Sequence, residues 1–239
     1  MKILSFESSA KACSVALLDG ETLVGEYYQN CGQTHSRTLL KMAEDLMENC
    51  SVDSVDAVAC AAGPGSFTGV RIGVAAAKGY AWGKQIPCIG VSTLEAMAHQ
   101  ARNFEGLICC VMDARRDQVY HGLFNCENGE PERLVEDCAI SIEELKTELL
   151  SYEEYCGENR EPVLFVGDGA KLCHKAIGGY DCAPEHLRMQ RASGVALAAA
   201  AALARGETGD GAALVPNYLR LSQAERERKE RLEREGSQE

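Results

Sequence analysis

Long apolar segments are missing from this sequence of 239 residues. The longest apolar run, Val195–Ala204, is mostly alanine and falls well short of the roughly 20 residues that a membrane-spanning helix needs. The stretch Ile3–Phe6 ends at the charged Glu7 and is too short for the apolar core of a secretory signal. We therefore expect a cytoplasmic protein that makes no contact with a membrane.

Positive charge is also scarce, with 24 Lys and Arg against 36 Asp and Glu and a net charge of −12. Proteins that hold nucleic acid or an anionic membrane on their own surface need clustered basic residues. The charge balance therefore excludes a broad basic binding face on this chain. The hydrophobic fraction of 46% is typical of a globular protein, and the length suits one large domain or two small ones.

Recognisable metal and nucleophile motifs are absent. No two of the five histidines are spaced i, i+3 or i+4, which excludes a His-x-x-x-His site on a helix. The twelve cysteines form no Cys-x-x-Cys pair, so we expect reduced, mostly buried thiols and no zinc knuckle or disulfide framework. Ser8 and Ser9 lack the Gly-x-Ser-x-Gly sequence of a hydrolase nucleophile. The residues therefore predict no catalytic group and no metal site.

The hydrophobic pattern divides the chain into two units that begin alike. Residues 1–105 predict three strands (Lys2–Glu7, Ala12–Leu18, Thr22–Tyr28), then helix Thr34–Asn49, strand Asp56–Ala62, helix Val70–Gly83, strand Ile86–Val91 and helix Thr93–Arg102. Residues 106–221 predict strands Leu107–Asp113, Gln118–Asn125 and Glu132–Cys138, a helix that Ser141 and Glu144 cap, strand Val163–Gly167, a short helix, and helix Ser193–Arg205. This arrangement indicates a duplicated α/β fold with mixed sheets. The charged residues 222–239 form a tail or a frayed helix.

The first helix has more apolar surface than one contact requires. Seven apolar side chains between Leu39 and Cys50 cover an arc of about 160°, whereas a single core contact needs about 100°. Either a partner protein or a second internal element could cover the surplus.

A glycine-rich loop is the strongest local signal for binding. It joins a buried strand to a helix, where glycines permit tight turns and free N–H groups can hold an anion. The candidate anion or nucleotide residues are Gly63, Gly65, Ser66, Thr68, Gly69 and Arg71 of this segment, together with Glu7 at the end of the first strand. The spacing matches neither a Walker loop nor G-x-G-x-x-G, so a purely structural turn is the alternative.

Three carboxylates follow predicted strands, namely Glu7, Asp113 and Asp168. Functional acids of α/β folds often lie at the carboxyl ends of strands. The three could share one cleft, although the sequence alone does not show that they converge.

Several segments, in order along residues 3–220, resemble the TsaB family of bacterial tRNA threonylcarbamoyladenosine biosynthesis proteins. They are the opening strand Ile3–Ser9, His35-Ser36 with Leu39-Leu40, the loop Gly63–Gly73, Asp113–Arg116 with Val119-Tyr120, and Pro216–Arg220. The resemblance implies two tandem RNase H-like or actin-like domains of the sugar kinase and Hsp70 type. It also places the helix near 193–206 where it could pack back on the first domain.

Departures from the catalytic paralogue TsaD imply a protein without its own activity. TsaD carries a His-x-x-x-His metal motif on the helix that here contains Thr93 and Met97. A hydroxyl and a thioether do not replace imidazoles around a catalytic iron or zinc ion. Glu7 stands where the family more often has Asp. The resemblance therefore implies a non-catalytic subunit, and peptidase activity is not expected.

The partners implied are a TsaD-like transferase, which this chain would dimerise with and activate, and a TsaE-like ATPase. The partners would use the ATP, tRNA would be bound only through the complex, and the chain alone could form a homodimer. The expected interface comprises His35, Leu39, Leu40, Met47, Val70, Val74, Ala77 and Tyr80, about half of which we expect to serve the chain's own core. The alternatives are an independent nucleotide-binding enzyme, such as a small-molecule kinase or nucleotide hydrolase, and a metallopeptidase.

Overall fold

Two five-stranded mixed sheets organise the protein in the computed structural model, which describes residues 1–156, 161–207 and 209–220. The predicted charged tail, residues 222–239, lies outside the described residues. The elements of the N-terminal half are β1 Lys2–Glu7, β2 Cys13–Asp19, β3 Thr22–Gln29, α1 His35–Asn49, β4 Ala57–Gly63, α2 Phe67–Lys84, β5 Cys88–Ser92 and α3 Thr93–Gln100. Those of the C-terminal half are β6 Gly106–Arg115, β7 Gln118–Glu127, β8 Glu130–Ser141, α4 Ile142–Cys156, β9 Val163–Val166, α5 Ala170–Ile177, β10 Asp181–Cys182, α6 Glu185–Arg188 and α7 Ala192–Ala204.

The two sheets repeat one topology. The first has the strand order β3-β2-β1-β4-β5 and the second has the order β8-β7-β6-β9-β10. Each strand of the first sheet therefore corresponds to the strand numbered five higher in the second. In both sheets the first three strands pair antiparallel as a meander, and the last two join in parallel. The predicted duplicated α/β fold is confirmed.

Helices cover both faces of the N-terminal sheet. Helices α1 and α2 pack on one face around Leu4, Phe6 and Val58. The alanine-rich α7 packs on the other face against β1, β2 and β4, around Ile3 and Ala59. Strand β4 is buried at all seven positions because it lies between these two layers, which explains its continuous apolar sequence.

Helix α7 comes from the C-terminal part of the chain and is held on the N-terminal sheet by a carboxylate. Glu26 Oε1 accepts hydrogen bonds from the backbone N–H and the hydroxyl of Ser193, both at 3.0 Å. Glu26 Oε2 lies 2.8 Å from the Arg191 guanidinium. The carboxylate thus satisfies a free N–H group in the first turn of α7 from another part of the chain.

Most predicted boundaries lie close to the observed ones, with a few informative differences. Helix α2 begins at Phe67, three residues before the predicted start, because the Ser66 side chain accepts the Gly69 N–H and caps it. Strand β8 extends over twelve residues, since it pairs with most of β7. The short elements β10 and α6 were not predicted. Within the described ranges, no helix combines the length and apolar character needed to cross a membrane.

Candidate functional site

The carboxyl end of β1 carries a buried polar turn. Glu7, Ser8 and Ser9 are each 1% exposed. Glu7 Oε1 accepts the Ser9 backbone N–H at 2.5 Å, while Glu7 Oε2 has no hydrogen-bond partner among the described residues. Burial raises the pKa of Glu7 from 4.5 to about 7, opposed by the hydrogen bonds to Ser9 and aided by the nearby Asp168 carboxylate. Glu7 therefore binds its proton more tightly than an ordinary glutamate does.

Three N–H groups in and after the glycine-rich loop donate inside the protein. The Ser66 N–H donates to the Ser9 carbonyl at 2.7 Å, and the Val70 N–H donates to the Ser66 carbonyl at 2.9 Å. The Gly69 N–H donates to Ser66 Oγ at 3.3 Å. These three donors are therefore not available to an anion.

Close backbone packing explains why the loop needs glycine. A Cβ atom on Gly69 would lie 2.1 Å from the Ser8 carbonyl oxygen. Gly63 has a φ of +116°, and a Cβ atom there would lie 2.3 Å from the Asn217 carbonyl oxygen. Side chains at either position would displace the neighbouring backbone, so the glycines serve the structural turn that the sequence left as an alternative.

Arg71 is held by the segment Pro216–Arg220, called here the C-terminal strap. Arg71 Nε donates to the Tyr218 hydroxyl at 2.8 Å, and its guanidinium lies 4.0 Å from the centre of the Phe67 ring. The Tyr218 and Phe67 rings stack with centres 4.4 Å apart. The Asn217 N–H donates to the Ala62 carbonyl at 2.6 Å. Arg71 is thus a partner of the strap in this structure.

The three strand-end carboxyl groups lie close together. Asp168 interacts electrostatically with both Glu7 and Asp113, and its carboxylate accepts the Asp113 N–H. Asp168 Oδ1 also accepts the Gln190 side-chain amide at 3.0 Å. Burial, together with the Asp113 charge, raises the pKa of Asp168 against these hydrogen bonds. The structure therefore brings together the three acids whose convergence the sequence left open.

A cleft of about 390 Å³ lies between the two halves; we call it the interdomain cleft. Residues 9–11 and 65–67 line it from the N-terminal half, and residues 112–115, Tyr120 and Asp168 line it from the C-terminal half. Residues 217–220 of the C-terminal strap complete the lining. Of the predicted loop residues, only Gly65 and Ser66 line this cleft; Glu7, Gly63, Thr68, Gly69 and Arg71 do not.

Five of the eight predicted interface residues belong to the core beneath α1 and α2, because these helices pack on the sheet and on each other. They are Leu39, Met47, Val70, Val74 and Ala77, all between 0 and 9% exposed. Two internal contacts, with the sheet and with α2, therefore account for most of the wide apolar arc of α1. Leu40 is 49% exposed, and His35 and Tyr80 are partly exposed. Contact of these three residues with a partner stays a prediction.

In the C-terminal half, away from the cleft, a histidine contacts a cysteine through one ring nitrogen and a carboxylate through the other. Cys109 Sγ lies 3.7 Å from His121 Nδ1, and His121 Nε2 lies 2.9 Å from Glu148 Oε1. Cys109 and His121 are both 0% exposed, and burial raises the pKa of the Cys109 thiol well above its usual value. A substrate has no access to this thiol, and the thiol is held in its unreactive form.

Comparisons with known proteins agree with this architecture. Residues 29–228 match the family model described as "TsaD: tRNA N6-adenosine threonylcarbamoyltransferase". The TsaB protein of Bacillus subtilis is 36% identical over 234 residues, which cover 94% of this chain and 96% of that protein. The chain belongs to the TsaB family. TsaB of Escherichia coli is 40% identical over 124 residues, which cover 50% of this chain and 53% of that protein.

A solved TsaB-like structure has the same fold over nearly its whole length. YeaZ from Pseudomonas aeruginosa superimposes with a TM-score of 0.76 at 28% identity, covering 91% of this chain and 99% of that one. The expected α/β fold of two tandem actin-like domains with mixed sheets is confirmed. The named relatives support a role of this TsaB family member in tRNA threonylcarbamoyladenosine biosynthesis.

The residues of this TsaB chain do not fit the His-x-x-x-His metal site expected of TsaD proteins. Thr93 and Met97 lie on α3, where TsaD proteins are expected to carry two histidines, and they are 0% and 1% exposed. The Met97 side chain packs near Gly167. No group of three or more metal-ligating side chains occurs in the parts of the chain that the structure describes.

The sequence predicts that the second helix, about Thr68–Gly83, is rich in glycine and alanine and permits close approach of another helix, but it does not separate the two faces of that helix. The structure separates them, because Ala75, Gly79 and Gly83 are exposed on the outer face of α2. Sequence reasoning missed the position of Lys11 and Arg115 on the interdomain cleft. No local pattern joins residues so far apart in the chain.

Proposed function

We propose that this chain is a non-catalytic subunit in tRNA threonylcarbamoyladenosine biosynthesis, which binds and activates a TsaD-like transferase. Membership of the TsaB family supports the biosynthetic role. The binding role is supported chiefly by one observation, the bare outer face of α2. On that face Ala75, Gly79 and Gly83 follow one another at intervals of four residues, and no atom lies within 4 Å of a Cβ built on either glycine.

The two glycines reduce the stability of the free chain. A glycine in an exposed helix costs about 1 kcal/mol relative to alanine. Nothing in the chain crowds Gly79 or Gly83, unlike Gly69 and Gly73, which pack against Ser8. A partner helix that approaches the α2 backbone closely would explain their presence, because the distance between packed helices depends on the side chains at the contact.

Helices α1 and α2 also carry larger exposed side chains. Trp82 is 80% exposed, Leu40 on α1 is 49% exposed, and Tyr80 is partly exposed. Aromatic side chains around a close helix contact are typical of the residues that dominate binding energy. We expect this face to contact the transferase, and to pair two copies of the chain when the transferase is absent.

Catalysis, ATP use and tRNA binding are assigned to the partners in this proposal. The sealed Cys109–His121 pair gives no support to peptidase chemistry, although a P. aeruginosa relative is described as similar to the peptidase YeaZ. The net charge of −12 disfavours tRNA binding by this chain alone. A TsaE-like ATPase would supply the ATP-dependent step, so this chain would need no cofactor for the reaction.

The test is a Gly79→Leu variant mixed with the TsaD-like protein of the same organism. We expect it to fold with a melting temperature above that of the wild type, because leucine favours helix and nothing in the chain crowds this position. It should nevertheless lose co-elution with the transferase on size-exclusion chromatography and lose tRNA modification in a reconstituted reaction. Ser151→Leu, on the exposed surface of α4, is the matched control and should behave like the wild type.

Two results would refute the proposal. One is a Gly79→Leu variant that forms the complex as well as the control does. The other is a reconstituted reaction in which the transferase and the ATPase modify tRNA equally well without this chain.

A further inference from the structure

Two cysteines lie side by side on neighbouring strands of the N-terminal sheet. Cys60 belongs to β4 and Cys88 to the parallel strand β5. Cys88 pairs with Val58 and Cys60 with Gly90, so the two cysteines are diagonal neighbours. Both side chains belong to the core cluster between the sheet and helices α1 and α2, on one face of the sheet. The Cys60 thiol donates a hydrogen bond to the Cys88 sulfur, so the two sulfur atoms are in contact.

A lysine of α2 adds positive charge beside this pair. Lys78 Nζ donates to the carbonyl groups of Leu214 at 2.8 Å and Ala212 at 3.3 Å, so its side chain is held between α2 and the chain after α7. The hydrogen bond from Cys60, together with the charge of Lys78, lowers the pKa of Cys88 against the effect of burial. The same hydrogen bond and burial raise the pKa of Cys60 well above its usual value.

The direction of the Cys88 shift distinguishes this thiol from other buried cysteines of the chain. Burial raises the pKa of Cys109, Cys110 and Cys173, so these thiols keep their protons. The thiolate is the reactive form of cysteine, and a neighbouring lysine stabilises it. Cys88 is therefore suited to attack an electrophile, and Cys60 is the adjacent thiol that can resolve the product.

A cavity of about 320 Å³ lies against Cys88, between β5 and the chain after α7. Cys88 is 1% exposed, which excludes a bulky reagent and leaves a small one. Glu207 and Asp210 also line the cavity, and their carboxylates would repel an anionic oxidant such as glutathione disulfide. The site therefore suits a small uncharged oxidant, and hydrogen peroxide is the simplest of this class.

We infer that Cys60 and Cys88 form a redox-active dithiol that hydrogen peroxide converts to a disulfide. The Cys88 thiolate attacks one peroxide oxygen, the O–O bond breaks, and the departing hydroxide takes up a proton to form water. Cys88 is then a sulfenic acid. The Cys60 sulfur attacks the Cys88 sulfur, the S–O bond breaks, and the hydroxyl leaves as water with the Cys60 proton. The two thiols thus lose two electrons and two protons, and peroxide is reduced to two water molecules. This inference does not depend on the proposed subunit role.

Peptide mapping of the native full-length chain after brief treatment with hydrogen peroxide tests the inference. Trypsin places Cys60 and Cys88 in different peptides, residues 42–71 and 85–102. We expect these peptides to be joined, with a mass two hydrogen atoms below their sum, and to separate on reduction. Cys50 shares the first peptide, so Cys50→Ala is the matched control and should form the same disulfide.

Two further variants assign the roles within the pair. Cys60→Ala removes the resolving thiol, so Cys88 should stop at the sulfenic acid, which dimedone traps as an adduct. Lys78→Gln removes the neighbouring cation and should slow disulfide formation several-fold, whereas Lys175→Gln, on the exposed surface of α5, should react like the wild type. The inference is overturned if peroxide oxidises other cysteines, such as the exposed Cys31, while Cys60 and Cys88 stay reduced. It is also overturned if Cys88 gains no dimedone in Cys60→Ala, or if Lys78→Gln reacts as fast as Lys175→Gln.

Discussion

Replacement of the buried Glu7 by glutamine should change how the stability of the protein depends on pH. Glu7 is 1% exposed, and one of its two oxygens has no partner among the described residues. Burial raises its pKa to about 7 in the folded protein, from 4.5 for an unperturbed glutamate. The folded state therefore binds the Glu7 proton more tightly than the unfolded state does.

The size of the effect follows from this difference in pKa. Each pKa unit corresponds to 1.36 kcal/mol, so the rise from 4.5 to about 7 amounts to about 3 kcal/mol. Because the folded pKa is raised, this contribution is fully present below pH 4.5 and is lost as the pH rises through 7. Glu7→Gln keeps an oxygen that can accept the Ser9 N–H and cannot ionise, so it should not suffer this loss.

The assay is urea unfolding of wild type and Glu7→Gln from pH 4.5 to pH 8. The free energy of unfolding of the variant, relative to wild type, should increase by about 3 kcal/mol across this range. Glu154→Gln, at an exposed position of α4, controls for the loss of one negative charge. Two parallel pH profiles would show that Glu7 ionises freely in the folded protein, and the desolvation reasoning would then be wrong.

Three further predictions concern stability and use the same unfolding assay. Leu39→Ala should lower the free energy of unfolding by roughly 2–5 kcal/mol because Leu39 is 1% exposed, whereas Leu40→Ala, at the exposed neighbouring position, should change it by less than about 0.5 kcal/mol. Equal losses for the two variants would contradict the orientation of α1. Glu26→Ala should cost roughly 3 kcal/mol, since it removes the carboxylate that holds α7; a neutral result would exclude that role. Tyr218→Ala should cost about 1 kcal/mol more than Tyr218→Phe, which keeps the ring stacked on Phe67, and the order should not reverse.

Local patterns were sufficient to predict most of the fold. The Ser141–Glu144 capping box is formed as expected, with the Ser141 hydroxyl 3.2 Å from the Glu144 N–H and the Glu144 carboxylate 2.7 Å from the Ser141 N–H. The two antiparallel meanders could be predicted because their strands are alternating or continuous apolar runs joined by short turns. These features depend on residues close together in the chain, so a single sequence contains them.

The chemistry of the candidate site depends on distant contacts and could not be predicted in the same way. Arg71 was expected to serve an anion, yet its partner Tyr218 lies 147 residues away. The Ser8–Ser9 turn after β1 packs closely against Gly65 and Gly69 of the glycine-rich loop. A glycine-rich strand-to-helix loop therefore indicates close approach, but not whether the approaching group is a ligand or the protein's own backbone.

Helix α2 has glycines that the chain's own backbone approaches closely and glycines that no other part of the chain approaches. Its inner face, with Val70, Val74 and Ala77, lies in the core, so the apolar pattern of these residues is fully used inside the chain. Its outer face is also made of small residues, and therefore the helix has little contrast between its two sides. Only the structure separates glycines that the fold requires, such as Gly69, from glycines that meet nothing, such as Gly79. A glycine that weakens a helix without any contact inside the chain suits a contact outside it, so we expect the proposed partner to bind the outer face of α2.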